Sequence, residues 1–152
     1  MNDLGMIVDV SHISDEAFWD IMNITTKPII ASHSNSRAVW NVSRNITDEM
    51  FIAICKSGGV TGINMCAEFL GQKPDLDTVC DHIIHFLELD LEGKHIALGC
   101  DLDGCDHLPD GFAGVQDYPQ LAECMLRRNI SETTVYDIFW NNAVGVMKHC
   151  CM

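Results

Sequence analysis

The feature that most constrains the fold is a fourfold alternation of short apolar runs with amphipathic stretches. The runs, which contain β-branched residues and are typical of buried strands, lie at residues 6–12, 28–33, 60–66 and 95–100. Helical periodicity and capping residues predict helices over residues 14–24, 47–57, 75–90, 118–128 and 131–148. Because strands that alternate with helices pair in parallel, the sequence predicts an α/β fold. Four such units make half of an eight-stranded (β/α) barrel or a small open sheet.

Polar residues suited to metal chemistry end the predicted strands. His12 ends the first strand, His33 the second, Asn64 the third and Asp101 the fourth. In (β/α) barrels the carboxyl ends of the strands face the active site. Two imidazoles there could hold one Zn²⁺ ion, with an aspartate beside them to move a proton. The alternative is that both histidines belong to the core and are satisfied by backbone groups.

Two further motifs have both a functional and a structural interpretation. Arg44 follows His33 in a long polar loop over residues 34–45, where it could bind a substrate carboxylate through two hydrogen bonds. An isolated arginine is, however, usually a solvated surface residue. The run from Asp101 to Gly104, which includes Asp103, could support a site or could simply form a turn.

Composition excludes several classes of partner. The net charge of −13 argues against binding to nucleic acid or to an anionic membrane surface. No apolar run approaches the ~18 residues that a membrane-spanning helix requires. The first residues lack the basic segment and long apolar stretch of a signal peptide. We therefore expect a cytoplasmic protein with no nucleic-acid or membrane partner.

The remaining thiols and imidazoles are assigned structural roles. The eight cysteines lie mostly within apolar runs, and we expect them to be reduced in a cytoplasmic protein. His82 and His85, three residues apart on a predicted helix, are expected on an exposed face. A metal site formed by Cys100, Cys105 and His107 matches no zinc spacing well. The segment at residues 149–151 is expected to be a frayed tail.

Several segments together resemble the C-terminal half of the renal (membrane) dipeptidase family. They are residues 1–12, residues 30–34 around His33, residues 43–45 around Arg44, residues 99–104 around Asp101, and the closing stretch 126–142. Their order and spacing agree with the family pattern along the whole chain. The resemblance implies a (β/α)8 barrel that holds two zinc ions and hydrolyses dipeptides with a metal-bound hydroxide.

The resemblance also implies roles for individual residues. His12 and His33 would ligate one of the two metals, and Asp101 would be the aspartate that handles the proton. Arg44 would bind the C-terminal carboxylate of the dipeptide substrate. The sequence departs from the family at the third strand end, where Met65 stands in place of an expected aromatic residue.

Two more positions carry implied roles, and one half of the family site is missing. Asn64 would contact substrate, and Asp103 would support the aspartate of the same motif. The N-terminal half of the family supplies a His-x-Asp pair, a glutamate that bridges the metals and a further histidine. No His-x-Asp sequence occurs in this chain.

We therefore expect residues 1–152 to form a single partial barrel domain of a zinc dipeptidase, with strands that correspond to the fifth to eighth of the family. Such a fragment would hold at most one Zn²⁺ ion. An alternative is an inactive fragment that binds metal weakly and self-associates, as a homo-oligomer or with a complementing N-terminal half. Another is a different metal-dependent amidohydrolase on the same barrel.

Overall fold

A computed structural model describes residues 1–151 and contains one parallel sheet of four strands. The strands are β1 (Val8–Asp9), β2 (Ile29–Ala31), β3 (Val60–Ile63) and β4 (Ile96–Leu98), in that spatial order. All three pairings are parallel and neighbours along the chain are neighbours in the sheet. The prediction of a four-stranded parallel α/β sheet is confirmed.

Helices follow the strands as the capping residues predict. Their bounds are α1 (Asp15–Ile24), α2 (Asp48–Ser57), α3 (Ala67–Leu70), α4 (Leu76–Leu89), α5 (Tyr118–Arg127), α6 (Glu132–Tyr136) and α7 (Asn142–Cys151). The side chains of Ser14 and Thr47 accept hydrogen bonds from backbone N–H groups in the first turns of α1 and α2. Gly58 ends α2 in the left-handed conformation, at φ 81°. Within residues 1–151 no helix combines the length and the apolar character needed to cross a bilayer.

The C-terminal region differs from its prediction in two respects. The single helix predicted at residues 131–148 is divided into α6 and α7 by a π-helical turn at Asp137–Asn141. The segment at residues 149–151 belongs to α7, so the prediction of a frayed tail is wrong. The reason is tertiary packing, because buried Cys150 clusters with Val60 and Ala97 of the sheet.

The core lies mainly between the sheet and the helices that follow its strands. Phe51 of α2 stacks on Phe86 of α4 with ring centroids 4.2 Å apart, and both rings are fully buried. Successive strand residues point to opposite faces, so Ile29 joins this core while Ile30 contacts a smaller cluster that includes α7. Helices therefore cover both faces of the sheet and leave its carboxyl edge to the loops.

The expectation of reduced cysteines is wrong for one pair. Cys66 and Cys105 form a disulfide with Cα atoms 5.1 Å apart, although 39 residues separate them in sequence. The residues follow β3 and β4, whose parallel pairing brings the two loops together. Cys105 is therefore not a free ligand, which also excludes the metal site considered with Cys100 and His107. The other cysteines are free thiols.

The expectation that His82 lies on an exposed helix face is also wrong. His82 is fully buried, and its imidazole bridges two segments distant in sequence. Its Nδ1 accepts the backbone N–H of Ser36 at 3.1 Å, and its Nε2 donates to the carbonyl of Leu70 at 3.0 Å. Burial lowers the pKa of His82, although the bond to Leu70 acts in the opposite direction. His85 is only half-buried and pairs with Asp48.

The buried imidazole of His82 predicts a loss of stability in mild acid. Below a pH of about 6.5 the unfolded chain binds a proton that the folded chain does not, so the free energy of unfolding falls. In His82→Asn this contribution is absent, and the urea midpoint should fall less than in the wild type between about pH 7 and about pH 5. His149→Asn, at an exposed position, should keep the wild-type slope. Equal slopes in all three proteins would contradict the assignment.

Candidate metal centre

The loops at the carboxyl edge of the sheet bring three of the predicted site residues together. The Nε2 atoms of His12 and His33 are 2.8 Å apart, and their ring centroids are separated by 4.8 Å. The carboxylate of Asp101 lies 3.7 Å from His33 Nε2. Two imidazole nitrogens and one carboxylate thus meet after β1, β2 and β4.

A chain of hydrogen bonds fixes the orientation of His33. Asp9 of β1 accepts a hydrogen bond from the hydroxyl of Ser32, and the same hydroxyl oxygen lies 2.6 Å from His33 Nδ1. Because the hydroxyl proton is directed to the carboxylate, its oxygen accepts the Nδ1–H of the imidazole. Nε2 of His33 therefore carries the lone pair of the ring, which faces His12 Nε2 at 2.8 Å. An anchored Nδ1–H with an unprotonated Nε2 is the arrangement found for histidines that bind metals.

Burial and neighbouring groups lower the pKa of His33, and hydrogen bonds lower that of Asp9. Burial is the largest influence on Asp9 and would raise its pKa, but hydrogen bonds from Ser32 and from the Ser11 backbone bring the net pKa below its usual value. Burial, followed by the positive charge of Arg44, lowers the pKa of His33. A neutral imidazole is the form that ligates a metal ion.

The backbone is held in an unusual conformation at two of the three residues. His12 has φ 70° and Asp101 has φ 58°, both in the left-handed region that non-glycine residues seldom occupy. Such conformations cluster at functional sites and persist where surrounding contacts enforce them. Gly104 belongs to the same turn, because its backbone N–H donates to the Asp101 carbonyl. A Cβ at position 104 would overlap the Asp101 carboxylate.

A cavity of about 520 Å³ opens beside His12 and contains Arg44 in its wall. The guanidinium of Arg44 donates to Ser34 Oγ at 2.9 Å and to the carbonyl of His33 at 2.7 Å. Its buried Nε has no hydrogen-bond partner among the described residues. Burial lowers the pKa of Arg44, while Asp101 and Asp9 act in the opposite direction. Arg44 is thus a desolvated cation with unused donor capacity, not a solvated surface residue.

A second arginine in the cavity wall has a different role. Arg37 forms a two-pronged ion pair with Asp15, at 2.6 and 2.8 Å, and its Nε donates to the carbonyl of Asn45. The hydrogen bond to Asp15 raises the pKa of Arg37 and lowers that of Asp15. These contacts tie the polar loop to the start of α1, so Arg37 is occupied by its own protein.

Two predicted residues stand apart from the histidine pair. Asn64 is buried, and its Oδ1 accepts the backbone N–H of Cys66 while its Nδ2 has no partner among the described residues. Asp103 is exposed in the loop after β4. Within residues 1–151 neither residue hydrogen-bonds to His12, and their roles in substrate binding and support stay predictions.

The supporting residues Asp9 and Ser32 were missed in the sequence analysis. Their signal was a lone carboxylate inside the apolar run of the first strand and a hydroxyl directly before His33. Neither signal is specific alone, since the pairing of β1 with β2 is needed to bring the two side chains together.

The donor set at the carboxyl edge suits a borderline divalent cation such as Zn²⁺. Zinc binds imidazole nitrogen at ~2.0–2.1 Å and carboxylate oxygen at ~2.0–2.2 Å, usually with four ligands. The Nε2 atoms of His12 and His33 are 2.8 Å apart, and the Asp101 carboxylate lies 3.7 Å from His33 Nε2. The neutral state of His33 and its anchored Nδ1 agree with such a role.

Comparison with known families and proteins gives a consistent result. A profile of the family described as Membrane dipeptidase (Peptidase family M19) matches residues 1–151. An uncharacterized dipeptidase of Schizosaccharomyces pombe is 35% identical over 151 residues, which cover 97% of this chain and 37% of that protein. The chain therefore spans well under half the length of this relative.

Solved structures match the fold over the whole chain. A metallo peptidase termed dipeptidase AC superposes with a TM-score of 0.92 at 28% identity, over 99% of this chain and 46% of that one. A metallo peptidase from Rhodobacter sphaeroides, solved with a phosphinate mimic of the dipeptide L-Ala-D-Ala, has a TM-score of 0.91 at 28% identity. That match covers 98% of this chain and 44% of the other.

These matches resolve the choice between half of a barrel and a small open sheet. The four parallel strands correspond to part of the TIM-like barrel of metallo-dipeptidases, over about half of their length. The family model covers all the described residues. The chain belongs to the membrane dipeptidase family, peptidase family M19.

Proposed function

We propose that the protein to which this chain belongs hydrolyses dipeptides with the help of zinc held in part by His12 and His33. The observation that carries this proposal is the 2.8 Å approach of their Nε2 atoms at the carboxyl edge of the sheet. When bound, such an ion lowers the pKa of water and polarises a carbonyl group.

In this proposal Asp101 transfers the proton and Arg44 binds the substrate. Asp101 accepts a proton from water and returns it to the leaving amine, a role supported by the 3.7 Å separation of its carboxylate from His33 Nε2. Arg44 binds the free carboxylate of the substrate through the terminal N–H groups that are not used by its bonds to Ser34 and to the His33 carbonyl. The enforced backbone at Asp101 holds its carboxylate in place before substrate arrives.

A dipeptide is the substrate class that this arrangement favours. Arg44 and His12 line one cavity of about 520 Å³, so a small substrate in it can reach both the cation and His12. The Rhodobacter sphaeroides relative was solved with a mimic of L-Ala-D-Ala, which supports the same class here. A fixed cation for the carboxylate selects substrates that have a free C-terminus close to the cleaved bond.

The metal site needs ligands from outside this set of residues. Two imidazoles and one aspartate fall short of a site for two zinc ions. β1 and β4 lie at the two edges of the sheet, and each leaves backbone groups free to pair with another strand. We propose that an N-terminal half of the barrel, or a second copy of this chain, completes the site through these edges.

Asp101→Asn tests the proton-transfer role in the complete enzyme. Asparagine tolerates the left-handed backbone, so the fold should persist while the proton acceptor is lost. We expect kcat for a dipeptide to fall by at least about 100-fold with KM little changed. Asp106→Asn, at an exposed position of the same loop, serves as the matched control. Wild-type turnover in Asp101→Asn would refute the assignment.

Arg44→Ala tests the recognition of the substrate carboxylate. Hydrolysis of a dipeptide should lose efficiency, whereas hydrolysis of the same dipeptide with an amidated C-terminus should change little. The comparison of kcat/KM for the two substrates in wild type and variant isolates the interaction with the carboxylate. An equal loss for both substrates would favour the alternative, another metal-dependent amidohydrolase in which Arg44 only supports the loop.

Ser32→Ala tests the support of the metal ligand. Loss of the hydroxyl leaves His33 Nδ1 without its acceptor, and we expect the affinity for Zn²⁺ to fall about 10- to 100-fold. Competition with a chelating dye measures this affinity directly, without any assay of turnover. Ser43→Ala, which removes an exposed hydroxyl, should leave it unchanged. An unchanged affinity in Ser32→Ala would exclude the orienting role.

A further inference from the structure

A second cluster of potential metal ligands lies at the amino-terminal ends of the strands, opposite the carboxyl ends that precede His12 and His33. The sulfur of Cys55, a carboxylate oxygen of Asp90 and a ring nitrogen of His95 all lie within 4.8 Å of one another. Cys55 belongs to the last turns of α2, Asp90 ends α4, and His95 directly precedes β4. The proposed hydrolysis uses none of these residues.

Hydrogen bonds hold two of the three ligands in place. His95 Nδ1 donates to the carbonyl of Gly59 at 2.8 Å, which leaves the lone pair of the imidazole on Nε2. Asp90 accepts the backbone N–H of His95 at 2.9 Å, so its carboxylate is fixed relative to the start of β4. Anchoring of this kind, by a backbone carbonyl or amide behind the ligand, is typical of metal sites in proteins.

The charge and exposure of the cluster also suit a cation. All three side chains are half-buried, so an ion can enter from solvent while the ligands remain ordered. The nearby ammonium group of Lys94 is bonded to Asp137, and Glu92 adds a further negative charge to the same turn. The chain as a whole carries a net charge of −13.

We propose that Cys55, Asp90 and His95 form a structural site for a borderline divalent cation such as Zn²⁺. A thiolate, an imidazole and a carboxylate are each common zinc ligands, and their combination disfavours Mg²⁺ and Ca²⁺, which prefer oxygen alone. Binding displaces the thiol proton of Cys55 to solvent, and water occupies the remaining coordination position. The ion joins the ends of α2 and α4 to the first residue before β4.

The location supports a structural rather than a catalytic role. The cluster lies at the amino-terminal ends of β3 and β4, and in (β/α) barrels this face contributes to stability while the opposite face carries the chemistry. Binding to the folded state alone should therefore raise the melting temperature. This inference is independent of the proposed hydrolysis, because the two clusters share no residue.

Substitution with Co²⁺ under non-reducing conditions tests the site in the purified protein. A thiolate bound to Co²⁺ absorbs in the near ultraviolet through charge transfer, and the His12 and His33 site has no proposed sulfur ligand. We expect this band in the wild type, its loss in Cys55→Ser, and its retention in Cys151→Ser, which removes an exposed thiol. It should also persist when His12 and His33 are both replaced by alanine. Absence of the band from the wild type, or its persistence in Cys55→Ser, would overturn the proposal.

Affinity for Zn²⁺ provides a second measurement that separates ligation from general electrostatics. Asp90→Asn keeps an acceptor for the His95 backbone but removes the charge, and should weaken binding at this site by at least about tenfold. Glu92→Gln removes a neighbouring charge outside the cluster and should lower the affinity by much less than Asp90→Asn. The double alanine variant of His12 and His33 is the background for both, so that only the second site is titrated. Equal losses in the two variants would indicate nonspecific attraction and overturn the proposal.

Discussion

The parallel register of the four strands is the constraint on which the rest of the structure depends. Val8 pairs with Ile29, Ile30 with Val60 and Thr61 with Ile96, so all four strands end at one edge of the sheet. This alignment brings together residues that are 21 and 89 positions apart from His12 in sequence, namely His33 and Asp101. A slip of one residue would move alternate side chains to the opposite face and separate the site.

The same register explains why a carboxylate is stable within the edge strand β1. Asp9 accepts hydrogen bonds from the backbone N–H groups of Ser11 and Ser32 and from the Ser32 hydroxyl. These bonds outweigh the partial desolvation of the carboxylate, as the lowered pKa of Asp9 indicates. The carboxylate in turn directs the Ser32 hydroxyl and thereby the ring of His33. One side chain thus supports both the pairing of β1 with β2 and the orientation of His33.

The sequence was sufficient where local signals determine the outcome. The strand order, the helix starts at Ser14 and Thr47, and the shared edge of His12, His33 and Asp101 all follow from local patterns and from the rule that alternating strands and helices form a parallel sheet. Family resemblance added the role of Arg44, which spacing alone left open. The ligand roles, the number of zinc ions and the cytoplasmic location stay predictions.

Sequence reasoning was insufficient where contacts between distant segments determine the outcome. His82 is buried because Ser36 and Leu70 supply partners for both of its nitrogens, and neither partner is identifiable from the helix that contains it. The disulfide of Cys66 and Cys105 depends likewise on two loops that only the pairing of β3 with β4 brings together. The division of α6 from α7 by a π-helical turn has no signal that we recognise in the sequence.

Each of the two clusters contains a histidine that is anchored through Nδ1, but the neighbouring donor groups differ. At each end of the strands a histidine donates its Nδ1–H to a neighbouring oxygen. The acceptor is Ser32 Oγ for His33 and the Gly59 carbonyl for His95. In both rings Nε2 is therefore the nitrogen that carries the lone pair. The neighbouring groups differ. Beside His33 they are a second imidazole and a carboxylate, and beside His95 they are a thiol and a carboxylate. A single parallel sheet thus presents two different donor sets, because the loops at the two ends of its strands are different segments of the chain.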